Sequence, residues 1–320
     1  GPRFTGDSAE EVMAALREGA AARLLGVALE EWVAAGRGRE LSGSLGAACD
    51  VAVHDALARA RARPLWTLLG ERRHAALEVL WPTSSGTAEQ DLAVIEARAA
   101  EGFRTFMLKC GARPVADDLE RVAAVCARLP AGTRLMADAN QGWSREEARA
   151  FVAGAAGLPL ILIEQPLAAA DMEGLAALRA LATVPISVDE SLQGVADARR
   201  IIAAGAADVF SIKVSKNGGL RSALDIAALA AAAGVRVLMN SMIELGVTQA
   251  ASLHLGCVLD NLLDCGHAYM STLRMADDVS DFAAQVREGR ARLPDGPGLG
   301  IEVDGAAIER YRVEELHVRR

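Results

Sequence analysis

Lysine is almost missing from this chain. Of 34 Lys plus Arg, only Lys109, Lys213 and Lys216 are lysine. Arginine serves wherever a fixed positive charge is enough, whereas a lysine in a dry or positively charged setting can give up its proton and act as a base. A sequence this sparing of lysine keeps it where arginine cannot substitute. Net charge is −8, which argues against a nucleic-acid or anionic-membrane surface. Long apolar runs are missing too. The hydrophobic content of 52 % is mostly alanine, and no run reaches the roughly 18 residues of a membrane span. The five cysteines (Cys49, Cys110, Cys126, Cys257, Cys265) are odd in number and show no C-x-x-C spacing. They read as reduced thiols of a cytoplasmic protein, not as ligands or bridges. The opening GPRFTGDSAEE is polar and then helical, with no signal-peptide pattern.

What is present is a spacing. Lys109 (FMLKCGA), Asp138 (LMADANQGW), Glu164 (LILIEQPL), Asp189 (ISVDES) and Lys213 (FSIKVSKNGG) follow one another at intervals of 24 to 29 residues. One strand, one helix and two short loops take about that many. Each charged residue ends a short apolar run, and an alanine-rich helical pattern follows. Successive β/α units therefore deliver one charged side chain apiece from a strand's C-terminal end, to the mouth where parallel barrels keep their chemistry.

The expected fold is α/β: a modified (β/α)7β barrel of the TIM type with a partial capping domain. Residues 1–74 are its helical part, opened by a Ser8–Glu11 capping box. Residues 75–290 are the barrel and 291–320 a return to the cap. The expected strands are Leu77–Thr83, Thr105–Lys109, Arg134–Asp138, Leu160–Glu164, Ile186–Asp189, Val209–Lys213, Val235–Asn240 and Asn261–Asp264. A strand-like tail, Ile308 to Val318, rejoins the first domain.

Three carboxylates from consecutive strand ends, with no His or Cys among them, make a hard all-oxygen site suited to Mg²⁺ or Mn²⁺. Such an ion holds a substrate carboxylate and absorbs charge that builds on it when the neighbouring carbon loses a proton. Lys109 and Lys213 then reach that carbon from opposite sides. Asn140, two residues past Asp138, shares its side and supports it by hydrogen bonding. Glu190 points away from Asp189, to a salt bridge or a catalytic part. Asp264 meets a cationic substrate group or caps a helix. Lys216 is a loop contact, and His54, His254 and His267 are structural.

These residues resemble the enolase superfamily, in its muconate-lactonizing (muconate cycloisomerase) subgroup. The resemblance runs from PRFTGDSAEEV through WPTSSGTAEQD to PGLGIEVD. Its K-x-K motif falls on Met107 and Lys109, D-x-N on Asp138 and Asn140, E-Q-P on Glu164, D-E on Asp189 and Glu190, and K-x-x-K-x-G-G on Lys213. The resemblance implies that Lys109 and Lys213 are the acid/base pair and that Asp138, Glu164 and Asp189 hold the metal. Ser241-Met242-Ile243-Glu244 resembles the segment whose glutamate faces the substrate. Methionine at 107 departs from the pattern, and the antiparallel strands with which relatives open their cap are not in this sequence.

The implied enzyme is an isomerase or lyase acting on a small carboxylate through an enolate, as a homo-oligomer with no membrane or nucleic-acid partner. Racemases or epimerases of amino acids or N-acylamino acids, as in the mandelate racemase group, and dehydratases use the same parts. A barrel that has lost turnover and only binds is the alternative from another class. Dipeptides are not expected as substrates, since an Asp-x-Asp for their ammonium is only half present at Asp264.

Overall fold

The computed structural model describes residues 7–41, 43–84 and 86–317. Its first helix, α1 (Ala9–Arg17), starts at the expected box: the Ser8 hydroxyl accepts from the Glu11 N–H, and the Glu11 carboxylate accepts from the Ser8 N–H. Helices α2 (Leu29–Ala35) and α3 (Gly43–Ala60) follow, the latter burying Leu45, Val51 and Leu57. Among the described residues no regular strand precedes Ala76.

The stretch expected as a single first strand is split. Strand β1 (Ala76–Glu78) leaves the barrel, while β2 (Leu80–Pro82) enters it. The break falls at Val79, whose N–H donates to Gly289 O at 2.8 Å. Beyond it alternate α4 (Ala88–Ala100), β3 (Thr105–Lys109), α5 (Val115–Cys126), β4 (Arg134–Asp138), α6 (Arg145–Gly154), β5 (Leu160–Glu164) and α7 (Met172–Leu181). After these come β6 (Ile186–Val188), α8 (Val195–Ala204), β7 (Val209–Ile212), α9 (Leu220–Ala232), β8 (Arg236–Met239) and α10 (Gly246–Gly256). Strands β2 to β8 form one parallel sheet in chain order. Most are buried on both faces, as strands between a barrel core and a helical jacket must be.

The eighth position is not the regular strand expected at Asn261–Asp264. Leu262 bridges Val237 and His267 bridges Val79, so the ring closes through two isolated bridges. The chain comes level with the end of β8 only at Ala268, whose N–H donates to Met239 O at 2.9 Å. Its apolar run stops at Asp264, but the closure continues through Gly266, where an added Cβ would lie 2.6 Å from Leu80 N. Seven β/α units and a closing segment make the (β/α)7β barrel.

Past helix α11 (Ser271–Arg274), β9 (Val286–Arg287) and β10 (Arg290–Arg292) complete an antiparallel sheet with β1. The tail departs from its expected strand and forms α12 (Gly305–Tyr311). Asp304 starts it by accepting from the N–H groups of Ala306 (2.8 Å) and Ala307 (3.2 Å), an N-cap the apolar spacing concealed. Val318 lies outside the described residues. Leu299 N–H donates to Asp55 Oδ1 at 2.7 Å, and Glu314 pairs with Arg17, so the return crosses α3 and the tail meets α1. Among the described residues no helix is long and apolar enough to cross a membrane.

The loops after β3 and β4 interlock at two glycines. Gly111 has φ +81°, and a Cβ on Gly142 would stand 2.4 Å from Gly111 O. Neither loop can back away, because each continues a buried strand. Gly142→Ala is expected to destabilise the protein by about 1–3 kcal/mol, the usual cost of overpacking. Urea denaturation of the variant beside the parent checks this; an unchanged midpoint would mean the loops separate freely.

Candidate active site

The site grows out of strand register. Lys109 pairs with Asp138 across β3 and β4, and Asp138 with Glu164 across β4 and β5, so the three stand level at the strand ends. Asp189 does not share that level. Glu164 pairs with Ser187 on β6, and Asp189 lies two residues higher, just past the strand. Barrel strands tilt and stagger, so the ring of charged ends climbs like a spiral.

All three carboxylates are shut off from water, at no more than 1 % exposure. Asp138 receives the Lys109 ammonium on Oδ2 and the Asn140 N–H on Oδ1 at 2.9 Å. Asp189 receives Lys213 Nζ at 2.5 Å and Lys216 Nζ at 2.7 Å. Among the described residues Glu164 has neutral donors alone, Ser211 Oγ at 2.7 Å and Asn240 Nδ2 at 2.9 Å.

The proton affinities follow. Burial, with Asp138 and Asp189 close by, holds the Glu164 carboxyl well above the ordinary carboxylate range. Burial acts the same way on Asp189, but Lys213 and Lys216 outweigh it and keep that group low. Burial alone would lower Lys109 and Lys213; the acids beside them, led by Asp138 and Asp189 respectively, raise both. Lys216, fully enclosed, is pulled down chiefly by burial.

A cavity of about 340 Å³ opens at this end of the barrel, lined by Met107, Lys109, Asn140, Lys213, Asn240 and Arg274 among others. The two lysines thus face one space. Backbone at its rim is unusual. Asn140, Gln141, Gln165 and Ile243 take φ of +44°, +66°, +35° and +65°. Such conformations persist only where surroundings enforce them, and they gather at functional sites.

Several expectations change here. Glu190 is buried and makes no ion pair among the described residues; its Oε1 accepts from Asn140 Nδ2 at 3.3 Å, while Oε2 has no hydrogen bond. Glu244 is not among the residues lining the cavity. Its carboxylate accepts from Ser215 Oγ at 2.8 Å, from Gln249 Nε2 at 3.2 Å and from the Ser241 hydroxyl. Asp264 lies at the opposite end, fully exposed, with its carbonyl accepting from Arg134 at the start of β4 at 2.9 Å. It cannot meet a substrate at the mouth. Lys216, expected as a loop contact, meets the loop after β6 from a buried position, its ammonium donating to the carbonyl and the carboxylate of Asp189. Gln165 was missed: its Oε1 accepts from Asp189 N–H at 2.9 Å and Ser191 N–H at 3.1 Å, pinning the loop after β6. Its place directly after Glu164 was the available signal. His54, His254 and His267 are buried and engaged by backbone groups.

The donor set suits a hard divalent cation: three enclosed carboxylates, with a fourth, Glu190, carrying an oxygen that nothing else uses. Among the described residues no three His, Cys, Asp or Glu side chains already converge as a metal cage. Lysine ammonium groups stand on Asp138 and Asp189 instead.

Comparison with known proteins agrees with this architecture. The family model "Enolase C-terminal domain-like" matches residues 91–307. Muconate cycloisomerase 1-2 of Acinetobacter lwoffii is 36 % identical over 266 residues, spanning 83 % of this chain and 69 % of that protein. Chloromuconate cycloisomerase of Cupriavidus pinatubonensis is 30 % identical over 319 residues, or 97 % and 85 %. Among solved structures, the muconate lactonizing enzyme of Pseudomonas putida superposes with a TM-score of 0.90 at 30 % identity, covering 95 % of this chain and 86 % of the other. That of Pseudomonas fluorescens complexed with muconolactone gives 0.91 at 29 %, covering 97 % and 84 %. Register, enclosed carboxylates, paired lysines and these relatives lead to one assignment: the chain belongs to the enolase superfamily, in its muconate-lactonizing branch.

Proposed function

We propose that this protein is a muconate cycloisomerase-like enzyme that moves a proton at the carbon next to a substrate carboxylate, through an enolate. The observation that carries the reading is that Lys109 and Lys213 line one cavity beside three enclosed carboxylates. In the lactone-forming direction, one substrate carboxylate oxygen adds to a carbon–carbon double bond. The displaced electron pair passes to the other carboxylate as an enolate, and a lysine ammonium gives its proton to the α-carbon. The reverse direction returns that proton to the neutral amine. Both lysines are held protonated by their acidic neighbours, which suits proton delivery.

Asp138, Glu164 and Asp189 would hold Mg²⁺ or Mn²⁺, which when bound would supply positive charge to offset that of the enolate. Asn140 steadies both Asp138 and Glu190 from the rim. Ser211 and Asn240 fix the orientation of Glu164. Met107, on the same face of β3 as Lys109, brings apolar surface to the cavity, which helps keep water out. Two lysines facing one space also fit racemisation, in which one removes a proton and the other returns it to the opposite face. The binding-only alternative finds no support in relatives named as enzymes at 30–36 % identity. A cytoplasmic location, supported by five free cysteines, and a homo-oligomer complete the reading.

Asp138→Asn, Glu164→Gln and Asp189→Asn are each expected to weaken Mn²⁺ binding in calorimetry and to abolish turnover of muconate. Unchanged affinity in all three would place the metal elsewhere. Lys109→Arg and Lys213→Arg keep the charge but cannot release the proton usefully. Each is expected to lose α-proton exchange in D₂O by about 10²–10⁴-fold. Normal exchange in both variants, followed by mass spectrometry, would end the proton-transfer reading.

A further inference from the structure

Two charged side chains on α5 are buried without touching the cavity. Asp118 and Arg121 are 1 % and 5 % exposed and lie three residues apart, on one face of the helix. Their partners are the backbone on either side of Cys110. Arg121 Nη2 donates to Lys109 O at 2.5 Å, and Asp118 Oδ2 accepts from Gly111 N–H at 2.7 Å. Arg121 Nη1 also donates to Gly86 O at 3.1 Å, in the loop leaving β2. Behind it stands Asp91 on α4, 1 % exposed, with Oδ2 at 3.5 Å from Arg121 Nε.

We propose that Asp118 and Arg121, backed by Asp91, form a two-point clamp that aims Lys109 and so act as its positioning residues.

The chemistry favours that over simple loop filling. A buried arginine is costly unless it is paired, and here Nη2 is spent on the carbonyl of the lysine itself, Nη1 on Gly86 O, and Nε faces the Asp91 carboxylate at 3.5 Å. Donor and acceptor grip the peptides before and after Cys110, which removes rotation about the strand end as well as translation. On the far side the same loop abuts Gly142, so Lys109 is held from two directions. Its ammonium, by contrast, ends a flexible four-carbon side chain, 35 % exposed, and among the described residues Asp138 and Asn140 hold it. Backbone placement therefore decides where that side chain starts.

The test uses the scarcity of lysine. Protein labelled at lysine Cε shows three side-chain signals in carbon–proton NMR, with Lys109 assigned by Lys109→Arg. A side chain held in one rotamer shows inequivalent methylene protons. Arg121→Met is expected to collapse that inequivalence for Lys109 while leaving Lys213 and Lys216 as they were. Arg179→Met, which breaks the remote pair with Asp208 on the outside of the barrel, is expected to change none of the three. Should Arg121→Met not fold, Asp118→Ala, which removes the acceptor for the Gly111 N–H, is read in the same way. An unchanged Lys109 signal, or equal changes at all three lysines, would overturn the clamp.

A kinetic arm rests on the function proposed above. With muconate, Arg121→Met is expected to lower kcat by about 10²-fold with KM held within about threefold, as for a misplaced reacting group. A collapsed Lys109 signal with kcat intact would count against Lys109 as the proton carrier and leave the clamp standing.

Discussion

Mutual repulsion among carboxylates is the constraint on which this structure turns. Asp138, Glu164 and Asp189 are withdrawn from water within one ring of strand ends. Adjacent strands are about 4.8 Å apart, so at an effective dielectric of about 20 two such charges repel by about 3 kcal/mol. The fold answers unequally. Asp138 and Asp189 each receive ammonium groups, whereas Glu164, between them in the strand order, receives a hydroxyl and an amide. Its carboxyl therefore carries the imbalance, with a proton affinity raised by burial and both neighbours. Charge balance and proton placement become one property of the site.

Such an arrangement is useful only if the groups stay put, and the rim shows how they do. Gln165 holds φ +35° while bonding two N–H groups of the Asp189–Ser191 turn through one oxygen. Its amide nitrogen donates to Leu167 O at 2.9 Å and Ser191 Oγ at 2.8 Å, so every polar atom of that buried side chain is used. Gln141, at φ +66°, sends its N–H to Gln165 O at 2.8 Å. The loops after β4, β5 and β6 are thereby tied in series. Left-handed backbone costs on the order of 1–3 kcal/mol per residue, and these bonds are what make it tolerable.

Much of this was legible in the sequence. Even spacing of Lys109, Asp138, Glu164, Asp189 and Lys213 fixed the unit length, and their apolar runs fixed strands ending within one residue of each. Long-range closure was not legible. Asp264 ends an apolar run and so looked like a strand end, yet the chain there is still at the bottom of the barrel, because the closing segment pairs through single bridges with no regular ladder. Glu190 was placed by strict alternation, but β6 ends at Val188, and beyond a strand end alternation no longer says where a side chain points. Arg121 gave no signal at all. In sequence it is one arginine among many on an amphipathic helix, and only the folded chain brings it to Lys109.

The use of the two basic residues then acquires a physical reason. Arginine is permanently charged and geometrically rigid, so it suits pairs that must never change state. Arg121 beneath Lys109, Arg134 on Glu78 and Arg179 on Asp208 are of this kind. Lysine is confined to three positions, and all three ammonium groups contact the enclosed carboxylates. A compact ammonium ion whose proton can leave is needed only where protons move or where their affinity must be set by neighbours. Lys216, with no exposure, does not face the cavity, yet its charge on Asp189 shares the load that Lys213 would otherwise bear alone. In the reaction proposed above, Lys213 delivers a proton while the Lys216 nitrogen stays seated on Asp189. An arginine at 216 could supply that charge too, but its planar fork is bulkier than an ammonium group seated on both the carboxylate and the backbone carbonyl of one residue. Space as well as proton chemistry thus keeps the third lysine in a chain that otherwise chooses arginine.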